Sequence, residues 1–289
     1  MLRLLGCSIV AFAIASVAVC EERSVDPTFL RRSVAELSAK TSDLTAAGSR
    51  YKPIFGAGTP DGAILRGIAR YGELTVDAGA SSAQVSYPDE EQVYMILDGA
   101  GVVAYGDEKV PVKKDDFLYL PPGVRHGVSN PSEAPCRLIV MGWRIPKGTK
   151  ITAPSKPQTS NLADVPKQTV AGHPPTTLYQ LLMGDLESKR DKIAAGHVLT
   201  SLFIMEFAPG GTNFPHHHED EEEIYLVLDG NGDMAAGSGM NGVEGRFPAK
   251  AGDAYFFRLN CTVGFYSKTT PGSKSHILAV RSRFPFSRR

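Results

Sequence analysis

The run Val93-Tyr94-Met95-Ile96-Leu97-Asp98-Gly99-Ala100-Gly101 returns as Ile224-Tyr225-Leu226-Val227-Leu228-Asp229-Gly230-Asn231-Gly232, 131 positions later (93 to 224). A second pair of blocks follows: Lys113-Lys114-Asp115-Asp116-Phe117-Leu118-Tyr119-Leu120 and Lys250-Ala251-Gly252-Asp253-Ala254-Tyr255-Phe256-Phe257, offset by 137 (113 to 250). The second copy therefore holds six more residues between its blocks (137 against 131), read as a longer hairpin around Gly237 to Gly245. Each copy consists of short apolar runs punctuated by Gly, Asp and Asn. That pattern fits a small antiparallel barrel or jelly roll, used twice. Between the copies, Pro146 to Pro174 is rich in Pro, Lys, Thr and Ser and reads as a linker.

Composition agrees with two ordinary cores. The chain has 289 residues, 31 Lys+Arg against 31 Asp+Glu, 42% hydrophobic and 21% charged residues. Such a balance excludes a disordered chain, a coiled coil and a multi-span membrane protein. The absence of a basic excess argues against nucleic-acid binding. Gly 29 and Pro 20 suit many short strands joined by turns. Ahead of the first copy, Asp26-Pro27 followed by Phe29, Leu30, Val34 and Leu37 predicts a short N-terminal helix.

Residues 1–20 read as a secretory signal peptide: Arg3, the apolar run Leu4 to Val19, small residues at Ser16-Val17-Ala18, then the polar Glu21-Glu22-Arg23. An uncleaved anchor is the competing reading, and Cys20 would be the site of a lipid. The expected location is secreted or periplasmic. If the leader is removed, Cys7 and Cys20 leave with it; Cys136 and Cys261, one in each half, are expected as buried thiols rather than a disulfide framework.

The chemistry concentrates in the second copy, in Gly210-x5-His216-His217-His218-x4-Glu223-x6-Gly230. On a strand, residues i and i+2 share a face, so His216 and His218 can meet one point inside a barrel while His217 faces away. Glu219 to Glu222 supply a polar turn, and Glu223, opening the next strand, closes on the same point. Two imidazoles and a carboxylate suit a divalent transition metal and leave coordination positions open. A solvated His/Glu-rich hairpin is the plainer alternative. Tyr225 and Val227 alternate with Glu223 and should face inward. Phe257, Phe265 and Arg258 lie near, offering a wall suited to a small aromatic or carboxylate-bearing ligand.

These residues resemble the cupin superfamily, and the duplication makes the chain similar to a bicupin. The first cupin motif is glycine, five residues, His-x-His, three or four residues, Glu, six residues, glycine, and residues 210–230 fit it in full. The second motif, Gly-x5-Pro-x-Gly-x2-His-x3-Asn, is met in the first copy by Pro121, Gly123, His126 and Asn130, with Asp115 at the leading glycine. The resemblance implies an all-β fold of two tandem cupin (jelly-roll, double-stranded β-helix) barrels with the short N-terminal helix. The expected division is 1–20 signal peptide, 21–52 helix and linker, 53–148 N-terminal barrel, 149–174 linker and 175–289 C-terminal barrel. It also implies a fourth metal ligand from the second motif, but Val263 stands at that position. Cys261 and His276 are the nearby substitutes. In the first copy Val85, Tyr87 and Gln92 stand where the second has His216, His218 and Glu223, so the N-terminal barrel is expected to be a structural half. There His126 would be a core histidine or would line a small pocket with Tyr87 and Gln92.

The functional expectation is an exported bicupin holding one divalent metal in its C-terminal barrel through His216, His218 and Glu223. Fe(II) or Mn(II) is favoured and Zn admitted. The leading reading is a metal-dependent, dioxygenase-like or related enzyme on a small organic substrate. The resemblance also admits an oxalate-processing activity, which would ordinarily need full ligand sets in both halves. The alternatives are non-catalytic binding of a sugar or organic acid, and a structural bicupin. The expected partners are a small molecule and, in a homo-oligomer, further copies of the chain, with no nucleic acid and no membrane after signal cleavage.

Overall fold

The computed structural model describes residues 27–61, 64–237 and 244–283. The signal-peptide reading falls outside them, as does the tip of the longer hairpin. The first strands are β1 (Phe29–Ser33), β2 (Ser49–Gly56), β3 (Ile68–Val76), β4 (Glu90–Asp98) and β5 (Ala100–Tyr105). The N-terminal half continues with β6 (Glu108–Lys113), β7 (Asp116–Leu120), β8 (His126–Ser129) and β9 (Cys136–Arg144). β10 (Gln158–Asn161) crosses between the halves. The second half holds β11 (Thr177–Asp185), β12 (Ile193–Gly196), β13 (Leu199–Phe207), β14 (Glu221–Asp229) and β15 (Asn231–Gly237). It ends with β16 (Glu244–Lys250), β17 (Asp253–Phe257), β18 (Thr262–Ser267) and β19 (Ser275–Arg283).

Each half closes a large sheet over a small one. In the N-terminal barrel the order β10-β7-β4-β9-β3-β2 faces β6-β5-β8, and in the C-terminal barrel β1-β17-β14-β19-β13-β11-β12 faces β16-β15-β18. The pairing of β15 with β16, which brings Gly237 opposite Glu244, bears out the longer hairpin.

The repeated apolar block is nearly continuous because both faces of its strand are buried. On β4, Tyr94 and Ile96 enter the core of their own barrel, whereas Val93 and Met95 enter a core shared with the other half. On β14, Tyr225 and Val227 point into the C-terminal barrel, and Ile224 and Leu226 into the shared core. Period-two alternation thus sends one set inward and the other into the seam between the barrels. At the end of each block a glycine turns the chain with positive φ, 75° at Gly99 and 80° at Gly230. A side chain at Gly99 would also collide with the Pro135 carbonyl.

Two expectations need correction. The N-terminal helix is instead β1 followed by a single 3-10 turn, Val34–Glu36. β1 pairs antiparallel with β17, Phe29 opposite Phe257 and Ser33 opposite Asp253. Tertiary pairing supplies its hydrogen bonds and overrides the local helical pattern. The linkers are also more structured than expected. β2 starts at Ser49, so the first barrel begins ahead of residue 53, and β10 joins β7 of the N-terminal barrel. Each barrel's leading strand is therefore sewn into the other barrel.

Candidate metal centre

His216 lies just ahead of β14, in a loop that bridges to β18. Its backbone exchanges hydrogen bonds with Val263 at 2.8 and 3.0 Å. Phe214, two residues before, takes φ 55°, a left-handed conformation uncommon outside glycine. That turn aims the Phe214 carbonyl at His216 Nδ1, 2.8 Å away. A carbonyl only accepts, so Nδ1 carries the proton and the Nε2 lone pair is left for another partner. Asn213 anchors the loop from below. Nearly inaccessible at 1% exposure, it donates to Tyr225 Oη at 3.0 Å and accepts from the Phe265 amide at 2.8 Å.

The structure brings the three expected ligands together. Donor atoms of His216, His218 and Glu223 all lie within 4.8 Å of one another. Glu223 is the third residue of β14 rather than its first. Its Oε2 stands 3.3 Å from His218 Nε2, yet both atoms are buried and lack a hydrogen-bond partner among the described residues. Orphaned buried polar atoms are costly, and two of them aimed at one point fit a cation that would satisfy both. Burial lowers the His216 pKa. For His218, burial also works against the charged form, but the negative charge of the Glu223 carboxylate beside it outweighs it and the net shift is upward.

Around this point lies a small cavity of about 80 Å³ whose lining includes Tyr179, Phe203, Tyr225, Arg190 and Arg281. This is well below the ~300–1,000 Å³ of sites for drug-sized ligands. As expected, Tyr225 faces in and His217 is exposed. Arg258 is not in the lining; it reaches the Pro27 carbonyl at 3.4 Å.

Neither substitute for the fourth ligand reaches the site. The Cys261 thiol faces the Gly237 carbonyl at 3.5 Å, and His276 Nε2 lies 3.1 Å from Glu206 Oε2. Cys136 and Cys261 are buried free thiols. The imidazole that does approach is His173, from the connector. Its ring centroid is 5.3 Å from that of His216, and its Nδ1 is 2.8 Å from the Asn213 carbonyl. It falls outside the three-residue donor group. Sequence reading passed over His173, Arg190 and Arg281, because only the folded connector and the register of β19 carry them to the cavity.

The equivalent place in the N-terminal barrel is filled by protein. His126 is 2% exposed, and the Gln92 side-chain amide bridges it (3.0 Å) to Glu90 (2.6 Å). Arg70 binds Glu90 at 2.7 Å and Asp43 at 3.0 Å and lies 4.0 Å from the centre of the Tyr87 ring. His126 is thus a partnered core histidine. A guanidinium already supplies the positive charge beside it.

The family model described as "Cupin domain" matches residues 72–142 and 203–270, one match in each barrel. Among curated proteins, MJ1618 of Methanocaldococcus jannaschii is 29% identical over 95 residues, covering 29% of this chain and 76% of that protein. Among solved structures, a Pseudomonas aeruginosa protein described as glyoxylate-induced superposes with TM-score 0.69 at 14% identity, covering 93% of this chain and 94% of its own. Escherichia coli Ylba gives 0.66 at 14% identity, covering 91% and 94%. The oxalate decarboxylase of Lactobacillus farciminis, solved as a formate complex, gives 0.66 at 12% identity, covering 91% and 87%. At these identities the solved structures establish the fold. Together with the two family matches, one to each barrel, they make this chain a two-domain cupin.

Proposed function

We propose that the C-terminal barrel binds one divalent metal through His216, His218 and Glu223, and that the protein is a metal-dependent enzyme acting on a small organic substrate. The observation that carries this reading is the pair of orphaned buried atoms, His218 Nε2 and Glu223 Oε2, beside His216 at the wall of a small cavity. Two imidazoles and a carboxylate favour Fe(II) or Mn(II). Such an ion would supply Lewis acidity or an oxygen-binding centre of the dioxygenase type. The chain's own groups do the rest. Phe214 fixes the His216 tautomer through its carbonyl, which accepts from Nδ1 and leaves Nε2 for the metal. Tyr179, Phe203 and Tyr225 restrict the cavity to small ligands. The N-terminal barrel serves as a structural half, its place for a cation taken by Arg70. The leader at residues 1–20 would send the protein to a secreted or periplasmic location, which the N-terminal sequence of the mature protein from its native host would test.

Elemental analysis of the wild type beside His216→Ala and Glu223→Ala tests the site. The wild type should carry one metal per chain and both variants should lose it while keeping the wild-type circular dichroism. Equal metal in all three would remove the site.

A further inference from the structure

The two barrels handle one arginine in opposite ways. In the N-terminal barrel Arg70 on β3 lies directly opposite Gly142 on β9. In the C-terminal barrel the corresponding pair is Ser201 on β13 opposite Arg281 on β19. The small residue and the guanidinium have exchanged strands. In both barrels the arginine still meets the equivalent glutamate, Arg70 with Glu90 at 2.7 Å and Arg281 with Glu221 at 3.1 Å. The consequences differ. Arg70 spends its donors on Glu90 and Asp43, lies against Tyr87 and fills its barrel. Arg281 gives Nη1 to Glu221, while its Nε is buried without a hydrogen-bond partner among the described residues.

Arg281 is also the direct cross-strand neighbour of Glu223. It therefore stands one strand spacing from the proposed metal ligand and lines the same cavity. A second guanidinium, Arg190, enters the lining and donates to Ser201 Oγ at 3.0 Å, leaving that hydroxyl its own proton to give. Arg190 is held by Asp191 at 3.2 Å. Arg190, Arg281 and Glu223 line the cavity, and Asp191 and Glu221 pair with the two arginines from outside the lining; together the five side chains carry a net −1 that a divalent ion would turn to +1. With the ion in place the site is one negative charge short of neutrality, and it holds unspent donors.

We propose that Arg281, with Arg190 and Ser201, forms a carboxylate subsite beside the metal, so that the substrate is a small monocarboxylate. The subsite rests on the metal reading, because without the ion the local charge repels an anion. Anion and metal binding should accordingly strengthen one another.

Acetate and its neutral isostere acetamide are the probes, titrated calorimetrically into zinc-loaded and metal-free protein, with metal content measured in each sample. Zinc-loaded wild type should bind acetate and not acetamide, and the metal-free protein should bind neither. Arg281→Met should weaken acetate tenfold or more while retaining the metal, with Arg281→Lys recovering part of the loss and Arg190→Met showing a smaller one. Equal binding of acetate and acetamide, or an unchanged acetate affinity in metal-retaining Arg281→Met and Arg190→Met, overturns the subsite and leaves the metal site standing. A wild type that takes up no zinc and no other divalent metal overturns both.

Discussion

Gln92 and Glu223 occupy equivalent places in the two barrels, and one atom separates their roles. Glu223 presents a buried carboxylate oxygen with no hydrogen-bond partner, while Gln92 presents an amide already bonded on both sides. The histidine beside Gln92 registers that enclosure, since burial pushes the His126 pKa down to about 4. In the unfolded chain it would titrate near ~6.5. Between those values the unfolded state binds the proton that the folded state refuses, so stability falls as pH drops through 6.5 toward 4. This one group should cost about 2 kcal/mol between pH 7.5 and 5. Urea denaturation of the wild type and His126→Gln at both pH values measures it. The variant should lose less stability on acidification by about that amount, and parallel losses in the two proteins would show that His126 does not refuse the proton.

The exchanged strands belong to the next scale. β1 is held to β17 by ladder hydrogen bonds and by Arg31 to Asp253 at 3.1 Å, with Arg32 reaching the Ile54 carbonyl and Asp61 of the N-terminal half. Deleting residues 27–33 should leave β17 an unpaired edge. The C-terminal barrel should then lose stability and the chain should gain a tendency to associate. Thermal melts and light scattering would show both, and an unchanged melt with a monodisperse chain would mean that β1 is dispensable. This is also where the sequence was least legible. Phe29, Leu30, Val34 and Leu37 fit a helical stripe as well as a strand followed by a turn, and the deciding partner, Phe257, lies more than two hundred residues away. The repeat itself was legible because its alternation is local. The metal trio was legible because His216 and His218 are two positions apart and Glu223 follows within one hairpin. Arg281 was not, because only the pairing of β19 with β14 sets it beside Glu223.

At the scale of the molecule, two buried carboxylates tie the barrels together across the seam. Glu91 leaves the N-terminal barrel and accepts from the backbone amides of His197, Val198 and Leu199 at 2.8, 2.7 and 2.7 Å, and from Tyr119 Oη at 2.7 Å. Its repeat partner Glu222 reaches the opposite way, to the amides of Arg66 at 2.9 Å and Gly67 at 2.8 Å. Both lie between apolar residues of the shared core, at 0% and 1% exposure. They serve as acceptors for backbone amides at the start of β13 and just ahead of β3, of which those of Val198, Leu199 and Gly67 are buried. Truncating either strands those donors, at roughly 1–3 kcal/mol for each unsatisfied group. Glu91→Ala, which strands three amides and a phenol, should therefore cost more than Glu222→Ala, which strands two amides. Because each clasp spans the seam, the loss should fall on the whole chain. Calorimetry of the wild type should give one transition containing both barrels, moved down by each variant and further by Glu91→Ala. Two resolved wild-type transitions, only one of them sensitive to these substitutions, would mean that the barrels fold independently and the carboxylates serve one barrel alone.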